Sequence, residues 1–207
     1  MPTFETDLHI ILVLCGIAYI LGSIPFGILL SKILQLGDLR KIGSGNIGAT
    51  NVLRTGNKTA AAVTLLLDTG KGTIVVYISQ VFASDDAIQL AALFALVGHC
   101  FPIWMGFRGG KGVATFFGIW LAYVWFIGLI CCCLWIFTAI IFRISSLAAL
   151  VATVGSFVAV ISLGFNDKII LSITLATLIA LRHRENIKRI ISGTELKINL
   201  KNNKNVL

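Results

Sequence analysis

The chain has 207 residues, 57% of them hydrophobic and 13% charged, with 17 Lys and Arg against 9 Asp and Glu and a mean hydropathy of +0.94. Soluble domains carry about 25% charged residues, so a soluble globular class and a disordered class are both excluded, and a polytopic membrane protein is predicted. Five cysteines, three of them consecutive (Cys131, Cys132, Cys133), lie in apolar surroundings without CxxC spacing, which excludes a disulfide framework and a structural zinc site.

The first apolar stretch predicts a helix over 8–31. Glu5 and Asp7 precede it in place of a basic leader, so it reads as a retained transmembrane helix and not a cleaved signal peptide. A polar loop follows over 32–58. Its centre is Gly43-Ser44-Gly45-Asn46-Ile47-Gly48-Ala49-Thr50-Asn51, closed by Arg54. Such a run is costly beside lipid, because its backbone groups have no water to bond; it belongs at an aqueous face or a cavity. Glycines let backbone amides approach an anion, while hydroxyls, amides and a guanidinium supply donors. Ser44, Gly45, Asn46, Gly48, Thr50, Asn51 and Arg54 are therefore expected at a phosphate. The Gly-x-Gly-x-x-Gly match to a dinucleotide fingerprint carries little, since no strand precedes it. Arg40 and Lys41 suit juxtamembrane charges near anionic headgroups.

The next span, 59–83, carries Asp68 and Lys71 at i, i+3, a spacing that pairs them on one helix face. An intramembrane charge suggests function; a structural ion pair and direct ligation both fit. The span 87–105 carries His99, read either as a satisfied buried histidine or as a group that positions the loop after it. That loop holds Arg108-Gly109-Gly110-Lys111-Gly112 at the head of the helix expected over 111–123. Helix N-termini attract anions, so Gly109, Gly110 and Lys111 form a second expected phosphate site, supported by Arg108. Helices over 125–142, 147–164 and 168–182 complete the set, with interfacial aromatics at the turn near Tyr123 and Trp125.

After the last span, the stretch 182–189 is basic and amphipathic, consistent with lying on a membrane surface. His183 and Asn186 share one face there at i, i+3, which a purely surface helix does not require. The Asn/Lys-rich tail, 197–207, is expected to fray. All Lys and Arg except Lys71 and Lys168 fall on one side of this arrangement. That side is cytoplasmic by the positive-inside rule, with the N-terminus outside and the C-terminus inside. The expectation is a single all-α transmembrane domain over 1–207 with about seven spans. Five spans is the alternative if 111–142 is one long helix.

The sequence has no Gly-x-Ser-x-Gly elbow, and neither His99 nor His183 is followed by an Asp five residues on. The few acidic residues form no cluster suited to Mg²⁺. No metal and no cofactor is expected.

These residues together resemble one family, the bacterial membrane acyl-phosphate:glycerol-3-phosphate acyltransferases. The resemblance runs through Gly22-Ser23-Ile24-Pro25-Phe26-Gly27, Asp38-Leu39-Arg40 with 43–54, Asp68 with Lys71-Gly72, Gly98-His99 with Pro102 and 109–115, and His183-Arg184-x-Asn186-Ile187-x-Arg189 with Gly193-x-Glu195. It covers most of 22–195; Ile190 stands where a leucine is usual. The resemblance implies a seven-helix fold in the bacterial cytoplasmic membrane with its active site facing the cytoplasm. It implies transfer of a fatty acyl group from acyl phosphate to the 1-hydroxyl of sn-glycerol 3-phosphate, giving lysophosphatidic acid and inorganic phosphate, the first acylation of phospholipid synthesis. Lys111, His183 and Asn186 are the implied catalytic residues. The implied partners are acyl phosphate, glycerol 3-phosphate and membrane lipid, with functional coupling to an acyl-phosphate-producing enzyme and no nucleic acid. A donor phosphate oxygen or His183 is the base. An acyl-CoA-dependent acyltransferase and a small phosphate or glycerol-phosphate transporter are the competing readings.

Overall fold

A computed structural model describes residues 5–198. Among the described residues there are ten α-helices and no strand: α1 (Leu8–Gly22), α2 (Phe26–Ile33), α3 (Ala49–Leu53), α4 (Lys58–Phe82), α5 (Asp85–Cys100), α6 (Val113–Tyr123), α7 (Trp125–Phe142), α8 (Ser145–Ser162), α9 (Ile169–Arg182) and α10 (Arg184–Ile191). The expected fraying tail lies outside the described residues beyond Ile198. Among the described residues five spans are long and apolar enough to cross a membrane: Leu8–Ile33, Lys58–Phe82, Asp85–Met105, Trp125–Phe142 and Ser145–Ser162. With 11 and 14 residues, α6 and α9 fall short of the roughly 20 needed for a full crossing.

The first span departs from the continuous helix expected over 8–31. It breaks at Ser23-Ile24-Pro25 because proline lacks the N–H that would extend the ladder and its ring crowds the preceding turn. Side chains from other elements satisfy the freed carbonyls. Trp104 Nε1 donates to the Ser23 carbonyl at 2.8 Å and Lys71 Nζ to the Ile24 carbonyl at 3.1 Å, as buried backbone in a membrane requires. A second break falls at Val124, between α6 and α7, so 111–142 is not one helix.

Tight packing of small residues holds the helices together. The closest pairs are α4 with α6, α1 with α5 and α7 with α8. Any Cβ on Gly72 would strike the Thr115 carbonyl, and one on Gly118 the Thr69 carbonyl, so α4 and α6 touch backbone to backbone. Gly22 against Ala95 and Gly98 against Tyr19 do the same for α1 and α5. Close approach at small residues is the usual route to helix association where lipid offers no hydrophobic drive. Behind these contacts sits a core of Leu96, Phe116, Ile119, Trp120, Ile127 and Leu175.

Polar contacts gather at two opposite ends. At one, Asp86 accepts from Thr6 (3.0 Å), Lys168 pairs with Asp85 (2.8 Å) and with Asp167, and Tyr123 donates to Asp85 (2.5 Å). At the other, Arg40 reaches Arg108, Lys111 reaches Asn186, and Ser146 reaches Glu195.

Candidate functional site

At the second end, the Gly-rich loop folds around Asn51, which is 1% exposed. Its Oδ1 accepts from the Ser44 amide (3.1 Å), the Ser44 hydroxyl (3.3 Å) and Arg54 Nη1 (3.2 Å). Its Nδ2 donates to the Leu39 and Asn46 carbonyls at 2.9 and 2.7 Å. Asn51 thus holds the loop's shape with all its groups engaged inside the protein, and its place at a phosphate is indirect. Gly43, at φ 52°, lies so close that a Cβ there would be 2.5 Å from Arg54 Cδ and 2.8 Å from Asn51 Oδ1. The loop rests on α2, where a Cβ on Gly27 would strike the Ile47 carbonyl.

The loop between α5 and α6 is built differently from its sequence expectation. Gly109 and Gly110, expected to offer amides to phosphate, have those amides engaged: Gly109 N–H donates to the Cys100 carbonyl (3.1 Å) and Gly110 N–H to the His99 carbonyl (3.0 Å). The glycines are needed because a Cβ on Gly110 would enter the His99 ring and one on Gly109 the His99 carbonyl. The helix expected from residue 111 starts at Val113, which leaves Lys111 free of the helix. Its Nζ donates to Asn186 Oδ1 at 2.5 Å.

Asn186, 3% exposed, passes this bond on. Its Nδ2 donates to Glu195 Oε1 at 2.5 Å, and Glu195 also accepts from Ser146 Oγ (2.8 Å) and Arg189 Nε (2.6 Å). Those donors outweigh burial and hold the Glu195 carboxyl below its usual range, so it is ionised. His183 is 2% exposed, with Nδ1 2.8 Å from the Ile179 carbonyl. A carbonyl only accepts, so Nδ1 carries the proton and Nε2 is left as the ring's acceptor. Burial, with Lys111 nearby, pushes the His183 pKa down to about 4; the ring is neutral at pH 7.

These groups surround a cavity of about 480 Å³. Of the residues expected at the site, Ser44, Asn46, Gly48, Thr50, Asn51, Arg54, Asp68, His99, Lys111, His183 and Asn186 line it. Gly45, Gly109, Gly110, Arg108 and Lys71 do not. Arg108 is exposed, and its carbonyl accepts from Arg40. Gly45, at φ 69°, shapes the loop from outside the cavity. Lys71 pairs with Asp68 at 3.0 Å and supports the α1–α2 break, while His99 lies 3.8 Å from Asp68. Beyond this polar end the wall turns apolar, with Leu65, Phe117, Cys132, Trp135 and Ile136.

The electrostatics at the polar end are one-sided. Burial lowers the Lys111 pKa to about 8; Glu195 opposes that shift, and Arg189, Arg54 and Arg182 add to it. Around Lys111, three guanidinium groups and one carboxylate leave a net positive charge that stabilises an anion. Glu195 and Gly43 stand within the sequence motifs, yet carried no role of their own in the sequence. The signal for Glu195 is one of only two acids in a basic stretch, with Glu185; that for Gly43 exists only in the fold.

Three comparisons with known proteins bear on this site. The family model described as glycerol-3-phosphate acyltransferase matches residues 12–193. A glycerol-3-phosphate acyltransferase of Jannaschia sp. (strain CCS1) is 54% identical over 198 residues, covering 96% of this chain and 98% of the relative. One of Cereibacter sphaeroides (strain ATCC 17025 / ATH 2.4.3) is 53% identical over 201 residues, covering 97% and 96%. The chain is also similar to the crystal structure of PlsY (YgiH), an integral membrane glycerol 3-phosphate acyltransferase, in its glycerol 3-phosphate form. There the TM-score is 0.87 at 36% identity, covering 91% of this chain and 96% of that one. The lysophosphatidic acid form gives a TM-score of 0.84.

Proposed function

The chain belongs to the glycerol-3-phosphate acyltransferase family, and from that membership we propose that it moves a fatty acyl group from acyl phosphate to the 1-hydroxyl of sn-glycerol 3-phosphate. It is a multi-pass membrane protein and a glycerol-3-phosphate acyltransferase; to this the proposal adds the acyl phosphate donor, the place of the step at the start of phospholipid synthesis and the cytoplasmic orientation of the site. One observation carries it. Arg54 and Lys111, from loops far apart in sequence, line a single cavity whose other end is apolar. Both substrates have a phosphate, and the donor also has a fatty tail. The polar end suits two anions side by side, and the apolar end suits the tail.

Acyl phosphate is an activated mixed anhydride, so the protein's task is positioning and charge stabilisation. The acceptor hydroxyl oxygen attacks the acyl carbon, and a new C–O ester bond forms. The bond between that carbon and the phosphate oxygen breaks, and inorganic phosphate leaves. The hydroxyl proton passes to an oxygen of the departing phosphate. His183, neutral and with Nε2 open, accepts the hydroxyl's hydrogen bond and aims its lone pair; a base with pKa about 4 does not retain a proton at pH 7. Lys111, fixed by Asn186, and Arg54, seated against Gly43, hold the phosphates. Membrane lipid supplies the tail's surroundings, and an acyl-phosphate-producing enzyme is the functional partner this donor requires.

The test is purified protein with acyl phosphate and glycerol 3-phosphate, scored for lysophosphatidate and free phosphate, with acyl-CoA as a parallel donor. Equal amounts of both products from acyl phosphate alone are expected. Turnover with acyl-CoA and none with acyl phosphate would overturn the donor assignment.

A further inference from the structure

Arg182, the last residue of α9, lies outside the cavity wall. Its Nη2 donates to the Gly109 carbonyl at 2.9 Å and its Nε to the Gly110 carbonyl at 3.1 Å. The guanidinium sits 5.1 Å from the centre of the Phe101 ring, within the range of a cation–π contact. The two carbonyls belong to the consecutive residues just before Lys111. Their amides are already engaged with the end of α5. The Gly109-Gly110 pair is therefore gripped on both sides, by α5 through its N–H groups and by α9 through its C=O groups. The next residues of the chain, His183 and Asn186, line the cavity, and Asn186 bonds Lys111.

We infer that Arg182 is a positioning residue for the acyl transfer: it locks the backbone before Lys111 to the end of α9, so that the Lys111 ammonium stays in register with Asn186 and His183. This rests on the reading of Lys111 as a phosphate holder. The physical reason for arginine is its planar fork, which gives two N–H donors at a fixed spacing; a lysine ammonium is a point charge that cannot hold two successive carbonyls in one plane. Without the clamp, the loop keeps its α5 contacts and loses those to α9. Lys111 and His183 then sit on elements free to shift against each other, and a misplacement of about 1 Å costs on the order of 10²-fold in rate.

The experiment compares wild type, Arg182→Lys, Arg182→Met and Lys111→Ala as purified full-length proteins with acyl phosphate and glycerol 3-phosphate. For Arg182→Lys, kcat/KM should fall at least about tenfold, with a raised KM for one of the two phosphate substrates. The thermal midpoint should be unchanged, and hydrogen exchange should quicken at 109–112 but not along α5 or α6. A purely structural role would lower the active fraction, leave KM unaltered and lower the thermal midpoint. Full rescue by lysine, or a loss that tracks the thermal midpoint, would overturn the inference. Arg182→Met removes the fork and the charge together, so its loss should be at least that of Arg182→Lys; a loss in Met beside wild-type turnover in Lys would mean that charge alone matters, and would also overturn it. Lys111→Ala separates the two readings. Near-normal turnover there withdraws the role of Lys111 and this inference with it. A large loss there beside an unaffected Arg182→Lys overturns the Arg182 inference alone.

Discussion

Lys111 and Arg54 are cations held by amides: Asn186 receives one and Asn51 the other, at 2.5 and 3.2 Å. Each amide is nearly sealed from solvent, so neither cation is free to swing away from the cavity. A charge-assisted hydrogen bond is worth about 1.5–3 kcal/mol. Arg54→Ala and Lys111→Ala should each cost at least roughly tenfold in kcat/KM, while Arg54→Lys should recover only part, because the bidentate fork is gone. Arg143→Ala is the control. That guanidinium bonds the Ile198 carbonyl away from the cavity, and turnover should stay within about twofold. Similar mild losses at all three positions would mean that the cations serve lipid contact and not substrate. The pH profile gives a separate check. With Lys111 at about 8, the free enzyme loses the needed positive charge as pH rises through that value. The sign is therefore a fall in kcat/KM on the alkaline side. In Lys111→Arg, whose charge persists, the limb near pH 8 should vanish; a wild-type profile flat from pH 7 to 10 would show that the Lys111 proton is not required. Residue chemistry is legible in the sequence where it is local: a cation beside a Gly pair, a histidine and an asparagine one turn apart. The engagement of the Gly109 and Gly110 amides is not, because it depends on where the end of α5 lies.

At the scale of elements, the α4–α6 contact decides whether the two cation-bearing loops share one cavity. Asp68 and Leu65 on α4 and Phe117 on α6 all line it, and Gly72 and Gly118 bring the two helices backbone to backbone. A side chain at either glycine must push backbone apart, and overpacking of this kind costs about 1–3 kcal/mol or more. Gly118→Ala, whose Cβ would lie 1.9 Å from the Thr69 carbonyl, should lower the thermal midpoint in detergent and reduce activity with it. Gly70 is the matched control: it lies on α4 as Gly72 does, and a Cβ added there would meet nothing within 4 Å. Gly70→Ala should leave stability unchanged or raise it by about 0.4–1 kcal/mol. If both substitutions behave alike, close packing of α4 on α6 is not what holds the pair. Helix positions are readable from apolar runs and the aromatic turn near Tyr123. The break at Pro25 is not, because its neighbours are as apolar as a continuous span, and the partners that stabilise it, Trp104 and Lys71, are distant in sequence.

For the whole molecule, the two polar ends differ in kind. One holds Lys168 locked between carboxylates; the other carries the exposed cations Arg40, Lys41, Lys58, Arg108 and Lys188. Cations are retained on the cytoplasmic side during insertion, so the cavity end is expected to face the cytoplasm. In a protein with its native cysteines replaced, a reporter cysteine at Asn166 should label from outside and one at Lys188 only after the membrane is opened. Both positions are exposed. Labelling of both from the same side would sink the arrangement in which the short helices α6 and α9 complete the passage between the two ends.

Composition, hydrophobic runs and charge bias by themselves determined that this is a helical membrane protein with its polar motifs gathered at one cation-rich end. They sufficed because the bilayer imposes one-dimensional rules: a length of apolar chain, a side for positive charge, a penalty for bare backbone. Local motif chemistry also marked Arg54, Lys111, His183 and Asn186. Only the tertiary structure decided which of the motif residues meet. Asn51 became the loop's internal brace, Gly109 and Gly110 a gripped hinge, and Glu195 the anchor of the Lys111–Asn186 bond. The bonds that bring the motifs together, Lys111 to Asn186 and Arg182 to Gly109 and Gly110, join groups more than 70 residues apart. Their partners follow from helix crossings and glycine contacts, and no periodicity along the chain encodes those.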